Sequence, residues 1–168
     1  AQGLYVRRVT PRLPEPPGAR EGEHGAGPPL RLLIAGDSAA AGVGAESQDT
    51  ALSGRLVELL APHFRVHWRL VARTGNTTRD AIAQLGAQPR AAFDAAVVSL
   101  GVNDVTGGTP ARRWLRQQAR LADLLAREFG VARVFLSALP PMQPVSDELQ
   151  ALAWLRALRE ADESSLPF

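Results

Sequence analysis

A serine and a cluster of small residues follow directly after an apolar run in this sequence. Residues 30–35 predict a short buried strand, which stops at Gly36-Asp37-Ser38. The small residues that follow, Ala39 to Gly44, leave the backbone accessible. In open α/β folds, ligands bind at the carboxyl ends of the parallel strands, so Ser38 is expected at the mouth of a crevice. A hydroxyl there, with backbone N–H groups beside it, suits nucleophilic attack on an acyl group.

Two later apolar runs end in the same way. Residues 66–72 lead into Gly75, and residues 95–100 lead into Gly101, Asn103 and Asp104. Three strand ends therefore offer Ser38, Gly75 and Asn103 to one edge of a sheet. Acyl transfer needs an attacking hydroxyl and N–H donors for the oxygen that becomes negative, and these residue types supply both.

Taken in order, the segments Gly36-Asp37-Ser38, Gly75 and Gly101-Val102-Asn103-Asp104 resemble the SGNH (GDSL-type) hydrolases. The resemblance covers roughly residues 30–141. It implies a three-layer, flavodoxin-like α/β fold and hydrolysis of esters or thioesters. It also implies that Ser38 is the nucleophile, and that the Ser38 amide, the Gly75 amide and the Asn103 side chain form the oxyanion hole.

Two carboxylates are assigned supporting roles. Asp37 is expected to order the turn around Ser38 through backbone N–H groups. Asp104 is expected to fix its loop rather than act as the base, since an exposed carboxylate with a pKa near 4 is a poor base for serine. Purely structural roles stay open for Ser38 and Asn103. Ser38 could be a turn serine that caps the next segment, and Asn103 could form an Asx-turn that closes its strand.

The general base is unassigned. SGNH hydrolases carry it near the C-terminus in an Asp-x-x-His segment, and no such segment follows Ser38 here. The last histidine, His67, precedes Gly75 by eight residues, too far along a straight strand to reach the site. His24, His63 and His67 are therefore interpreted as solvated or structural histidines. The catalytic histidine and its aspartate remain unknown.

Three explanations for the absent base are open. The chain is truncated, a second chain supplies the segment, or the protein is a degenerate member that binds acylated ligands or a partner chain without turnover. Truncation is favoured, because a sheet without its fifth strand exposes an edge. The same edge would also suit a homodimer.

Alternating strands and helices predict a parallel sheet with right-handed crossovers. The resemblance implies the strand order 2-1-3-4-5, of which this chain offers 2-1-3-4, with the fifth strand missing or supplied elsewhere. Residues 1–29, rich in proline and glycine, are expected to form an extended or partly disordered arm. Residues 30–168 are expected to form the hydrolase domain, incomplete at its C-terminal part.

Thr77 and Thr109 are predicted to cap helices. Predicted strands span 30–35, 66–72, 95–100 and 131–138, predicted helices span 49–62, 77–86, 110–129 and 147–163, and residues 140–142 are placed beside an acyl pocket.

Composition excludes several kinds of chemistry. The chain has no cysteine, and all 19 basic residues are arginine, which excludes a thiol nucleophile, a Walker-type lysine and a Schiff base. Gly42 and Gly44 lack the third glycine of a dinucleotide loop, and no acidic or histidine cluster has metal-ligand spacing. No cofactor and no metal are therefore expected.

The expected partner is a small-molecule ester, with a weak preference for short acyl chains. A net charge of +2 gives little support for nucleic acid, even with the basic pI. The arginines at 112, 116 and 120 are interpreted as a solvated helix face. No apolar run is long enough for a membrane span. Arginine in place of lysine suggests a bacterial source, with cytoplasm and periplasm both open.

Overall fold

The computed structural model describes residues 13–137. Strands and helices alternate through most of this range, as the sequence predicts. The strands are β1 (Glu21–His24), β2 (Pro29–Gly36), β3 (Arg65–Ala72), β4 (Ala95–Ser99) and β5 (Arg133–Leu136), and the helices are α1 (Ser38–Ala41), α2 (Leu52–Leu60), α3 (Thr78–Gly86), α4 (Val102–Thr106) and α5 (Ala111–Phe129).

The five strands form one sheet in the order β1-β3-β2-β4-β5. The four strands β3, β2, β4 and β5 are parallel, which confirms the predicted 2-1-3-4 arrangement. The fold is thus an α/β fold with a mostly parallel sheet. The predicted order is incomplete at one edge, where the antiparallel strand β1 pairs with β3.

β1 comes from the arm that was expected to be extended or partly disordered. Its register with β3 places Glu21 opposite Arg69 and Glu23 opposite His67. Glu21 forms an ion pair of 3.0 Å with Arg69, and the Glu23 carboxylate lies 3.0 Å from His67 Nδ1. Between them, a Cβ on Gly22 would lie 2.5 Å from the Trp68 ring, so the ring occupies space that only glycine leaves open. Pairing across the strands, which composition does not reveal, explains why this segment joins the sheet.

Alternate residues of β2 pack against helices on opposite faces of the sheet, which gives three layers. Leu33 belongs to a core with Leu85 of α3 and Leu121 of α5. Ile34 belongs to a second core, with Val57 of α2. This double burial is the reason that β2 is an almost continuous apolar run rather than an alternating one.

Helix ends agree with the sequence at some places and differ at others. Thr77 caps α3 in a reciprocal capping box with Asp80, as predicted. The Thr109 prediction is wrong, because Pro110 occupies the N-cap of α5 and no side chain caps that helix. Proline fixes φ near the helical value and its side chain has no acceptor, so only its carbonyl oxygen begins the helix, by accepting the Arg113 N–H at 2.9 Å and the Trp114 N–H at 3.0 Å.

Several predictions lie outside the described residues, namely the helix over 147–163 and the pocket wall at 140–142. The division of the chain into an arm and an incomplete C-terminal part stays a prediction. Among residues 13–137, no helix has the length and apolar character needed to cross a bilayer.

Candidate active site

Three strand ends meet at the carboxyl edge of the sheet. Gly36, the last residue of β2, is in register with Ala72 of β3 and with Ser99 of β4. The chain then turns out of the sheet with its backbone still bonded: Asp37 N donates to Ser99 O at 3.0 Å, and Arg73 N donates to Gly36 O at 3.2 Å. The segments that carry Ser38, Gly75 and Asn103 therefore leave the sheet side by side, at the same edge.

Gly36 lets the turn before Ser38 lie close to β4. A Cβ at this position would be 2.4 Å from the Ser99 carbonyl oxygen and 2.5 Å from Ala40 Cβ, so no larger residue fits. Asp37 is the N-cap of the short helix α1, and its Oδ1 accepts the Ala39 N–H at 3.0 Å. Ser38, the first residue of α1, is half-buried at this edge.

The Gly75 loop follows β3. Gly75 has φ of 85°, a left-handed conformation that favours glycine, and the space beside its Cα is open. The next residue, Asn76, is buried, and its side-chain amide donates to Gly36 O at 3.2 Å and to Gln84 Oε1 at 2.7 Å. Asn76 therefore ties the end of the loop to β2 and α3.

Asn103 lies in α4, directly after β4. Its Nδ2 donates to the Asn76 carbonyl oxygen at 3.0 Å and to Asp37 Oδ2 at 3.4 Å. The longer contact is the weaker one. The same side chain thus links the Gly75 loop to the Ser38 turn.

Two backbone donors at this edge have no acceptor among the residues that the structure describes. Within residues 13–137, neither the Ser38 N–H nor the Gly75 N–H is bonded to a protein group. Unbonded N–H groups of this kind are what a developing oxyanion requires.

Asp104 is buried, with 1% of its surface exposed, so the expectation of an exposed carboxylate is wrong. Its Oδ2 accepts both the Thr78 N–H and the Thr78 hydroxyl, each at 2.8 Å, while Gln118 Nε2 donates to that hydroxyl at 3.0 Å. Asp104 therefore joins α4 to the first turn of α3 and to α5. Its Oδ1 has no hydrogen-bond partner in the part of the chain that the structure describes.

The surroundings of Asp37 disfavour its charged form. Burial raises the pKa of Asp37 above its ordinary value, and the negative charge of Asp104 raises it further. The Ala39 N–H opposes both effects, because it stabilises the charged form. Asp37 is therefore a carboxylate whose charge is costly to keep at this edge of the sheet.

All three histidines lie toward the other end of the sheet. His67 is opposite Arg31, five residues before Gly36, which is about 16 Å along a strand. Its Nδ1 lies 3.0 Å from Glu23. His24 is opposite Val66 and lies in β1, not in a loop as expected, while His63 precedes β3. None of them is brought to Ser38.

Several residues at the site carried no sequence signal. Gln48 is buried, donates to Ala41 O at 2.9 Å, and accepts the Ser53 hydroxyl at 2.9 Å, so it holds the end of α1 against α2. Asn76 and Thr78 are likewise buried and bonded to distant segments of the chain. Their neighbours come from distant parts of the chain, which a linear motif does not specify. No group of three or more His, Asp or Glu in residues 13–137 could hold a metal ion.

Comparison with solved structures supports the fold. TesA superposes with a TM-score of 0.68 at 22% identity, covering 80% of this chain and 74% of that one. A catalytic mutant of Axe2, an acetylxylan esterase from Geobacillus stearothermophilus, gives 0.63 at 18% identity, covering 83% and 74%. A lipolytic G-D-S-L family protein from Veillonella parvula gives 0.60 at 13% identity, covering 81% and 73%.

No curated protein sequence matches the chain. Residues 34–164, however, match the family described as GDSL-like lipase/acylhydrolase, a range that includes Ser38, Gly75 and Asn103. The chain belongs to the GDSL-like lipase/acylhydrolase family.

Proposed function

We propose that the protein is a serine hydrolase that cleaves carboxylic esters or thioesters through an acyl-Ser38 intermediate. The observation that carries the proposal is that the Ser38 and Gly75 N–H groups have no acceptor within residues 13–137, while the Asn103 amide is bonded to the carbonyl oxygen of Asn76, the residue after Gly75. Family membership supports a hydrolase. The acyl preference, short chains in our interpretation, rests on the small residues from Ala39 to Gly44 alone.

In this mechanism, Ser38 Oγ attacks the acyl carbonyl carbon and gives up its proton to a base. The carbonyl oxygen becomes negative and accepts hydrogen bonds from the Ser38 N–H, the Gly75 N–H and Asn103 Nδ2. The tetrahedral intermediate then collapses, and the alcohol or thiol leaves with a proton. Water attacks the acyl-serine in the same way and releases the acid.

Asp37 and Asp104 act through the residues they hold. Asp37 fixes the turn that presents Ser38, through its bond to the Ala39 N–H. Asp104 fixes α4, which carries Asn103, through its bonds to Thr78. Neither carboxylate is assigned the role of base.

The source of the base is the open part of the mechanism. The three histidines lie at or before the amino-terminal ends of β2 and β3, so a base must reach Ser38 from another segment or another chain. That observation also favours a second candidate, a domain that binds acylated ligands without turnover.

The two candidates differ in whether Ser38 can be acylated. We would incubate the protein with a fluorophosphonate and measure its intact mass, and follow hydrolysis of a short-chain ester with and without added imidazole. Ser38→Ala and Ser99→Ala are the matched variants, since within residues 13–137 the Ser99 hydroxyl bonds only to the Ser137 hydroxyl. Ser38→Ala also gives the rate at which imidazole alone cleaves the ester.

Labelling and turnover that Ser38→Ala abolishes and Ser99→Ala retains would support the enzyme. Turnover that appears only with imidazole would support the same site with a base missing from the isolated chain. A folded protein that is neither labelled nor active under either condition would overturn the hydrolase proposal and leave the binding domain.

A further inference from the structure

Residues 13–20, here called the N-terminal strap, run across the carboxyl edge before the chain enters β1. Gln48 N donates to Pro17 O at 2.8 Å, and Leu70 N donates to Arg20 O at 2.6 Å. The strap is therefore bonded to the segment that follows α1 and to β3. It reaches both sides of the candidate site.

Within the strap, Glu15 contacts the Gly75 loop. Its Oε1 accepts the Thr74 N–H at 2.7 Å and the Thr74 hydroxyl at 2.8 Å. Its Oε2 forms an ion pair of 3.0 Å with Arg20 Nη1, and Arg20 Nη2 donates to the Ala72 carbonyl oxygen. Glu15 and Arg20 thus form a bridge that begins at the last residue of β3 and ends two residues later at Thr74.

Side-chain packing contributes little to holding the loop, whose backbone is closed by the Asn76 N–H donating to the Arg73 carbonyl oxygen at 3.1 Å. Thr74 and Gly75 are both exposed, and a Cβ on Gly75 would meet nothing within 4 Å. The peptide that carries the Gly75 N–H therefore lies between two anchors. One is Asn76, which is bonded to β2 and α3, and the other is Thr74, which is bonded to Glu15.

We propose that Glu15 is a positioning residue that holds the Gly75 N–H in the orientation of an oxyanion donor. This inference rests on the proposed function of the same site. Glu15 acts through Thr74 and touches no reacting atom. Its two bonds to Thr74 are charge-assisted hydrogen bonds, which are shorter and stronger than neutral ones.

A structural role alone would predict a different result. A partly exposed ion pair such as Glu15–Arg20 contributes little to global stability, so its loss should leave the fold intact. A misplaced oxyanion donor, in contrast, weakens binding of the transition state and not of the substrate, so it lowers kcat and leaves KM nearly unchanged.

The test compares Glu15→Ala and Glu15→Gln with Glu23→Gln. Glu23 lies in β1, three residues after the strap, and its carboxylate also contacts basic side chains. It is a matched control because it lies opposite His67, toward the other end of the sheet. The readouts are kcat and KM on a short-chain ester, with imidazole if the wild type requires it, and hydrogen exchange at the Thr74 amide. Thr74→Val removes the hydroxyl bond and keeps the N–H bond.

We expect Glu15→Ala to lower kcat about tenfold, less than the 10²–10³ that loss of a whole donor typically costs, with KM unchanged. Glu15→Gln keeps a side-chain oxygen that can accept the Thr74 bonds, so its kcat should fall less than that of Glu15→Ala. Exchange at Thr74 should accelerate in both Glu15 variants and not in Glu23→Gln. Thr74→Val combined with Glu15→Ala should lose less than the sum of the two single effects.

Unchanged Thr74 exchange in Glu15→Ala would overturn the inference, as would a rise in KM with kcat intact or an equal loss of kcat in Glu23→Gln. A wild type without turnover under any condition would count against the proposed function alone. Thr74 exchange would then still decide whether Glu15 holds the Gly75 loop.

Discussion

The two ends of the parallel strands hold similar residue types in different surroundings. At the amino-terminal end, Glu23 and His67 form a carboxylate–histidine pair of 3.0 Å, with 49% and 40% of their side chains exposed. At the carboxyl end, Asp37 and Asp104 are 3% and 1% exposed and are bonded to backbone and side-chain donors. Water screens the first pair and not the second. Burial therefore distinguishes the carboxyl end from the amino-terminal end in these two pairs.

Asn103→Ala should produce the largest difference between the two ends. Loss of this donor is expected to lower kcat by about 10²–10³ while the protein stays folded. His67→Ala, at the other end, should leave ester hydrolysis unchanged. Steady-state kinetics on both variants, with circular dichroism as the check on folding, decides this. Equal losses in the two variants would remove the distinction between the ends.

Asp104→Ala should destabilise the fold, because it leaves the buried Thr78 N–H without its acceptor. An unsatisfied buried donor costs about 1–3 kcal/mol in the free energy of unfolding. Glu23→Ala removes exposed ion pairs and should cost about 0–1 kcal/mol. Urea denaturation of the two variants measures both values. A larger loss in Glu23→Ala would mean that burial does not set the energetic difference.

Asp37 provides a smaller effect that depends on pH. Its pKa is raised in the folded state, so the folded protein binds its proton more tightly than the unfolded chain does. Wild-type stability relative to Asp37→Asn should therefore fall as pH rises from the ordinary pKa of 3.8 through the raised value. Denaturation of both proteins between pH 4 and about 7 measures the difference. A difference that grows in favour of the wild type would contradict the raised pKa.

The sequence predicts the parallel part of this fold because the pattern there is local. Apolar runs that end in glycine and small polar residues mark β2, β3 and β4, and the Thr77–Asp80 spacing marks a capping box. The segments that carry Ser38, Gly75 and Asn103 also meet as anticipated, and their chemical roles stay predictions.

What the sequence does not predict depends on contacts between distant segments. The strand β1 is stabilised by partners in β3, and its own composition resembles a linker. Asp104 follows a strand end, as exposed loop residues do, yet Thr78 and the helices beside it bury it. Glu15 stands in a proline-rich stretch, and only the folded structure places it against Thr74.

The position of β1 has a consequence for the order of assembly. It leaves the ribosome before the other four strands of residues 13–137, but its partner β3 belongs to a later part of the chain. All four residues of β1 are exposed, so it buries no apolar side chain that could nucleate folding. We expect β1, although it is synthesised before the other four described strands, to be the last of these five to join the sheet. Glu15, just ahead of it, would then reach the Gly75 loop only after β3 has folded.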